Sequence, residues 1–427
     1  MNRLSFASTF LSHSHQDKAF VELVAQALWR RGVVVWLDQN DLAAAMGADL
    51  SAALGQAVQR QASVTIFLSE AALKSSWVND ELAAALQQPD QDLLPVFLDE
   101  PVRLVRMHDE LKRRWLRPDG KGVKINYEQV NPALPAAAEA VRIAEKIALR
   151  LYDRLQFRQR REAVLCLDQR GHGHKRSDEF PIPSHQQALD APALIFRTNL
   201  QPRSDGETLH GDDLTETLRA MEWALGQAFG NSRGAARKIY LSGQAQLALP
   251  FCVGQHFNRS NNAYLFCDNS KDGEIFSNEG QSLTQPLTAG NAHCEKPHAL
   301  IAPIAPGEQV PEAALLLVKE TYLADALDGL RAHPPLPRPV WVESEQFADS
   351  PQAMRYVADV VALLSRLKRE HGVRRVRLFL DLPFGVVPLL AANLLHAVPN
   401  FDLMEFRRDL RGTGADSSDL YCPVQWP

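Results

Sequence analysis

One feature constrains this chain more than any other. Through residues 1–155, short apolar runs alternate with stretches whose apolar residues recur at helical spacing. The strand-like runs stand at 7–12, 33–37, 64–68 and 93–98, with a weaker one at 123–127. Helical patterns fill 17–31, 49–60, 76–87 and 136–155. Alternation of this kind predicts an α/β fold, a parallel sheet of five strands with helices on both faces. Such sheets bind ligands beyond the carboxyl ends of their strands. The loops after Leu11, Leu37 and Leu68 are therefore the places to look for chemistry.

A polar, basic stretch at 157–161 reads as the end of a helix running into a linker, and an apolar strand at 163–167 opens a second region. Two domains follow, 1–155 and 156–427. Stretches 170–183 and 270–297 are polar and contain glycine, and read as loops. The second region carries an internal repeat. One copy runs strand 193–197, helix 213–229, strand 238–242, a helix opened by Pro250, then strand 264–267. The other runs strand 314–319, helix 353–371, strand 376–380, a helix opened by Pro388, then strand 401–406. In each copy proline follows the middle strand by about eight residues, and proline suits a first helical turn, where its missing N–H is not needed. The pattern predicts two similar α/β halves, approximately 162–300 and 301–427, about a pseudo-two-fold axis. That geometry suits a pseudo-symmetric ligand across the junction.

Composition narrows the partners. The formal net charge of -5 lacks the basic excess of a general nucleic-acid binder, which weighs against duplex DNA or long RNA. Cys166, Cys252, Cys267, Cys294 and Cys422 are odd in number, widely spaced and without a CxxC pair. They read as free thiols in a reducing compartment, with no metal site. His172 and His174 read as loop residues for the same reason. Residues 1–10 lack a signal peptide's apolar core, and no apolar run reaches the ~20 residues of a membrane helix. The expectation is a soluble, cytoplasmic protein.

Three segments carry chemistry. The first is Phe10-Leu11-Ser12-His13-Ser14-His15-Gln16-Asp17, where Asp17 is positioned to cap the next helix. The second is the run from Gly32 through Trp36, Leu37 and Asp38, followed by Asp41 and Gly47. The third is Ser69, then Ser75-Ser76-Trp77-Val78-Asn79-Asp80-Glu81-Leu82. In order and spacing they resemble the three boxes of TIR domains, with Val78 where bacterial members usually carry Cys. The resemblance implies a flavodoxin-like fold and cleavage of NAD as substrate, with no cofactor. It implies Glu81 as the catalytic residue, and Phe10, Ser12, Trp36, Asp38, Asp41 and Trp77 as substrate contacts. Trp77 and Glu81, four residues apart, share a helix face at the mouth of the sheet. A carboxylate there can stabilise an oxocarbenium-like ribose, hold its hydroxyls or direct water.

Plainer readings stand beside these. Glu81 alone reads as a solvated helix carboxylate. Trp36 reads equally as a strand-end core residue, Trp77 as packing beneath the site, and Asp38 as a turn residue. His13 reads as a loop-ordering hydrogen bond more readily than as an acid or base; Ser12 and Ser14 read as turn-shaping. The 39–49 segment corresponds to the mobile BB loop, which in TIR enzymes completes a neighbour's site.

The repeat, with strands KIYLSG and RVRLFLDLP and helices LPFCVGQHF and PLLAANLLHAV, resembles SAVED domains, which are fused pairs of CARF-like halves. The resemblance implies a sensor for a cyclic oligonucleotide, first an all-adenine cyclic trinucleotide. Candidate contacts follow the repeat strands: Arg197, Asn199, Gln244, Gln246, Lys319, Thr321, Tyr322, Phe384 and Gly385. Each alone also reads as a surface or packing residue, and Arg374, Arg375 and Arg377 as a solvated strand edge. A TIR–SAVED fusion implies a CBASS-type anti-phage effector. Its ligand drives self-association, as an oligomer or an open filament, and so assembles composite TIR sites. The rival expectations are a non-catalytic TIR scaffold and an NAD hydrolase with a different sensor ligand.

Overall fold

The computed structural model describes residues 5–37, 63–86, 92–168, 182–187, 189–197, 212–230, 236–257, 263–269, 274–279, 299–300, 304, 307–334, 336–344, 347–394, 397, 400–406 and 421–424. The chain opens with β1 (Ser5–Phe6), β2 (Ser8–Ser12), α1 (Lys18–Trp29), β3 (Val34–Leu37) and β4 (Ser63–Leu68). There follow α2 (Glu70–Lys74), α3 (Ser76–Leu86), β5 (Asp92–Phe97), α4 (Pro101–Arg106), α5 (Asp109–Trp115), β6 (Glu128–Gln129) and α6 (Ala136–Arg154). Next come β7 (Glu162–Asp168), α7 (Ser184–Gln187), β8 (Pro192–Arg197), α8 (Asp212–Phe229), β9 (Arg237–Gln244), α9 (Ala248–His256), β10 (Ala263–Asn269), β11 (Glu274–Ser277) and β12 (Ala299–Leu300). The chain ends with β13 (Glu312–Val318), α10 (Leu323–Ala332), β14 (Arg338–Glu343), α11 (Ser350–His371), β15 (Arg375–Leu380), α12 (Val386–Leu394), β16 (Asn400–Phe406) and β17 (Tyr421–Val424).

Two compact units result. The first holds the described residues up to Arg160 together with 189–197. Its five-stranded sheet has the order β3-β2-β4-β5-β6, every pair parallel. β2 and β4 are buried along their whole length, as central strands covered on both faces must be. Helix α1 buries Val21, Val24, Ala25 and Leu28, one apolar stripe. Helix α6 buries Ala140, Ile143, Ala144, Ile147, Ala148 and Leu151. Tyr152, on α6, donates its hydroxyl hydrogen bond to the Arg31 carbonyl, and Arg31 pairs with Glu145 at 2.8 Å. β8 belongs to this unit, paired in parallel with β1 and hydrogen-bonded through Ile195 N–H to the Gly32 carbonyl.

The weak strand expected at 123–127 is instead the two-residue β6, while Val123 makes only an isolated bridge to Leu116. Helices α2, α4 and α5 had no strong sequence period because each spans barely two turns or less. Their local chemistry defines them: Ser69 caps α2, Glu100 caps α4 ahead of Pro101, and His108 caps α5.

The second unit contains two strand ladders of one pattern. β7, β9 and β10 run parallel in that order, and β11 joins β10 antiparallel. β13, β15 and β16 run parallel in that order, and β17 joins β16 antiparallel. β14 flanks β13 in parallel, and β12 adds an antiparallel edge. Strand β11 lies inside the 270–297 stretch expected to be loop. It is recruited by pairing to β10 rather than by its own apolar pattern. Pro250 and Pro388 each stand third in their helices, α9 and α12, within the first turn. Those two helices pack on each other so closely that a Cβ on Gly254 would lie 2.2 Å from the Pro388 carbonyl oxygen. Helix α11 is capped by Asp349 at its start and ends on Gly372 in the left-handed region.

Candidate functional site

In the first unit the chain leaves β2 for β3 on one side, then returns past β2 to β4 on the other. The carboxyl ends of β2 and β4 therefore flank a topological switch point, the place where open α/β sheets hold ligands. A hydrogen-bond network joins the two loops there. Asp17 Oδ2 accepts from the Ser14 hydroxyl at 2.7 Å and from the Ser69 hydroxyl at 2.6 Å. Ser69 Oγ in turn accepts from the Ala72 N–H at 3.0 Å, which starts α2. Asp17 makes no side-chain cap to α1, contrary to expectation. Its carboxylate finds two hydroxyl donors across the switch point, and one of them arrives only because β4 lies beside β2. Charge-assisted hydrogen bonds of this length are stronger than neutral ones.

His13 is buried, and its Nδ1 lies 3.1 Å from the Leu11 carbonyl, so the ring orders the loop after β2. Burial lowers its pKa from the ordinary imidazole value, because the charged ring is the form that loses hydration. Ser12 is fully buried at the end of β2, and its Oγ has no hydrogen-bond partner among the described residues.

Helix α3 supplies the candidate acid. Ser75 Oγ accepts from Val78 N–H at 3.4 Å, and Asn79 donates its side-chain N–H to the Leu73 carbonyl at 3.1 Å, fixing the α2–α3 corner. Glu81 has zero solvent exposure. On its own helix it is flanked by Val78, Leu82 and Ala85, all in one cluster with Phe10, Val64, Ile66, Leu68 and Phe97. The reading of Glu81 as a solvated surface carboxylate is thereby overturned. A carboxylate on the core side of a helix is costly and rare, since burial strips its hydration.

The remaining expected contacts divide. Phe10 is 2% exposed within the same core cluster, where it supports the sheet from beneath. Trp36 is half-buried at the end of β3 and packs against that cluster. Asp38, Asp41, the 39–49 segment, the helix expected at 49–60 and the Trp77 side chain lie outside the described residues. The Asp17–Ser69 link was the feature sequence reasoning missed. Its only sequence signal is a hydroxyl or carboxylate after each of two apolar strands.

In the second unit, Gln244 is exposed at the end of β9 and Gln246 half-buried just before α9. Lys319 stands one residue past β13, and Thr321 and Tyr322 sit in a single 3-10 turn, Glu320–Tyr322. Tyr322 packs against the core cluster of β13 and α10. Phe384 is half-buried and Gly385 buried, in the loop between β15 and α12. Arg197 ends β8 and so belongs to the first unit, while Asn199, His172 and His174 lie outside the described residues. Arg375 pairs with Asp402 at 2.7 Å and Arg377 donates to the His333 carbonyl, so both are held by local contacts on β15, a strand inside its sheet. Cys166, Cys252 and Cys267 are buried, and burial pushes the thiols of Cys252 and Cys267 upward, away from thiolate. No grouping of His, Cys, Asp and Glu fit for a metal ion occurs among the described residues, and no described helix is long and apolar enough to cross a membrane.

Residues 9–119 match the TIR domain family. The three boxes and the switch-point network fall within that match. The comparison with curated proteins gives no match. Among solved structures, the chain is similar to the Cap4 SAVED/CARF-domain containing receptor of Acinetobacter baumannii with the cyclic trinucleotide 3'3'3'-cAAA. That likeness has 13% identity over 81% of this chain and 83% of that one, with a TM-score of 0.38. The Moraxella osloensis Cap4 SAVED/CARF-domain containing receptor gives 12% identity over 85% of this chain and 86% of that one, with a TM-score of 0.35. At scores this low the likeness carries no assignment of ligand or activity.

Proposed function

We propose that the TIR region cleaves NAD at its nicotinamide–ribose bond, using Glu81, and that the 156–427 region senses a cyclic oligonucleotide that switches the reaction on. One observation carries the catalytic half: a fully buried carboxylate at position 81, inside the stretch that matches the TIR family. In the reaction the C–N bond breaks with its electron pair going to the ring nitrogen, which neutralises the pyridinium. Positive charge builds on the ribose, and a carboxylate beside it stabilises that charge strongly in a site shielded from bulk water. Water then bonds to the sugar carbon and gives up a proton, leaving ADP-ribose and nicotinamide. Ser12, whose Oγ at the switch point has no partner among the described residues, is the polar contact that fits this substrate best.

Support for the sensing half comes from the repeated strand pattern of the second unit and from the close α9–α12 packing that joins the two copies. A self-associating, open array would then create the competent form from chains in which Glu81 is shut away from solvent. The sequence resemblance supplies the first ligand to try, an all-adenine cyclic trinucleotide.

The burial of Glu81 also favours a second reading, in which the carboxylate is an internal structural group and the TIR region is a scaffold. One experiment separates them. Nicotinamide release is followed beside light scattering while the purified chain is mixed with NAD and cyclic oligonucleotides. Release that requires a cyclic ligand and falls by about 100-fold or more in Glu81→Gln supports catalysis. Scattering without release establishes the scaffold. Release that persists in Glu81→Gln removes this residue from the chemistry.

A further inference from the structure

Strand β8 comes from beyond residue 156, yet it is part of the first unit. The backbone bonds that seat it fall at one end of the TIR sheet. Ser5 N–H donates to the Ala191 carbonyl at 3.2 Å and Ala7 N–H to the Ala193 carbonyl at 3.0 Å, in the parallel register that sets Phe6 opposite Ala193. Ile195 N–H donates to the Gly32 carbonyl at 2.9 Å. Ala7 and Gly32 are the points of grip. Ala7 is fully buried, and while its N–H goes to β8, its carbonyl accepts from Val34 N–H at 2.8 Å, at the start of β3. Gly32, two residues before β3, stands at φ +74. A Cβ there would lie 2.9 Å from Leu194 Cβ and 3.2 Å from Phe196 Cζ, so glycine is what lets β8 come this close.

β8 thus holds the amino ends of β2 and β3. The carboxyl ends of the same two strands carry the first two boxes. β2 ends at Ser12, beside His13 and the Asp17 network, and β3 ends at Leu37, next in the chain to Asp38. These strands are five and four residues long, about 13–17 Å of hydrogen-bonded backbone. Packed elements shift as bodies between discrete arrangements, so a displacement at one end of such a strand is felt at the other. The chain also gives β8 a short lead. Only residues 188–191 separate it from α7, which is counted with the second unit, a tether of at most about 17 Å.

Resting on the reading that the 156–427 region switches the TIR region, we propose that β8 is the regulatory clasp of the TIR site. Seated on Ala7 and Gly32, it holds β2 and β3 in the resting arrangement, the one in which Glu81 has no solvent exposure. Activation draws β8 from that seat, and the strand ends that frame the switch point move with it.

The test uses the full-length chain, NAD and cyclic tri-adenylate. Phe6→Cys combined with Ala193→Cys closes the seam with a disulfide, since paired positions on adjacent strands lie within disulfide reach. Oxidised, this variant should lose ligand-stimulated nicotinamide release by about 10-fold or more, and dithiothreitol should restore it. Each single-cysteine variant should respond as wild type does, which controls for the native thiols. Gly32→Ala, which crowds Leu194, should raise ligand-free release about 10-fold. Gly120→Ala meets the same backbone strain, at φ +68, with only Arg106 Nη2 3.7 Å from the added carbon, and should leave release unchanged. A full ligand response in the oxidised pair overturns the clasp, as does a folded Gly32→Ala chain that behaves like Gly120→Ala. Should wild-type release be absent or indifferent to the ligand, the switch reading fails and hydrogen exchange decides the clasp. Oxidation of the cysteine pair should then slow exchange of the Asp17 N–H, beyond the far end of β2, by about 5-fold. Equal exchange in the oxidised and reduced forms overturns it.

Discussion

The two units treat their buried polar groups differently. In the TIR region, Ser12 Oγ apart, the groups at the switch point are spent on one another: Ser14 and Ser69 donate to Asp17, and His13 bonds the Leu11 carbonyl. In the second unit Ser242, Asp268, Ser344 and Asp381 keep unpartnered atoms at or just past strand ends, among the described residues. The first pattern knits loops together and makes a rigid frame. The second leaves hydrogen-bonding capacity for something that arrives later, at a cost in the stability of the empty protein. Rigid preorganisation is what a charge-stabilising active site requires. Uncommitted polar groups are what a recognition site requires.

The largest difference between the units is expected at Gly254. A valine there would drive its side chain into the Pro388 carbonyl, so Gly254→Val should destabilise the second unit by about 3 kcal/mol or more. Its denaturant midpoint should fall while the transition of the TIR region stays put; a single shared shift would show that the units unfold together.

Acid should also act on the second unit first. Burial, with Arg237 adding to it, pushes His256 down to about 4 from its ordinary 6.5. The unfolded chain then binds a proton that the folded one refuses, so stability present above pH 6.5 is lost as pH falls toward 4, by about 2 kcal/mol. Urea titrations at several pH values should show this slope in wild type and a flatter one in His256→Phe.

At the switch point Asp17→Asn should cost about 1–2 kcal/mol, because both hydroxyl donors lose their charged acceptor. If the network frames the active site, NAD cleavage should fall more steeply than stability does.

The smallest effects have opposite signs and therefore sharpen the contrast most. Ser69→Ala should lose about 1 kcal/mol, as a capping serine does. Ser344→Ala, at a buried hydroxyl without a described partner, should be neutral or gain up to about 1 kcal/mol. Thermal unfolding of the two variants side by side measures it, and losses of equal size would erase the distinction drawn between the units.

Much of the framework was legible. The runs at 7–12, 64–68 and 93–98 became β2, β4 and β5, because strands inside the sheet need largely apolar or internally hydrogen-bonded side chains. Pro250 and Pro388 marked two helices at matched places because proline is tolerated only in a first turn. Short elements were not legible. Helix α2 depends on one cap, β6 on pairing with β5, and β11 on pairing with β10. Nor did the sequence separate a surface glutamate from a buried one. Glu81 sits in a helix whose apolar stripe, Val78, Leu82 and Ala85, becomes inward only when the sheet packs on it.

The order of residues alone set the α/β alternation, the proline-opened helices after β9 and β15 and the three boxes within the stretch that matches a TIR domain, because periodicity and proline chemistry act over a few neighbouring residues. The packing of β2 beside β4 set Asp17 against Ser69 rather than its own helix, and the packing of α3 on the sheet closed Glu81 off from water. Those outcomes turn on which strands lie side by side, and strand adjacency is set by long-range packing that no local pattern encodes.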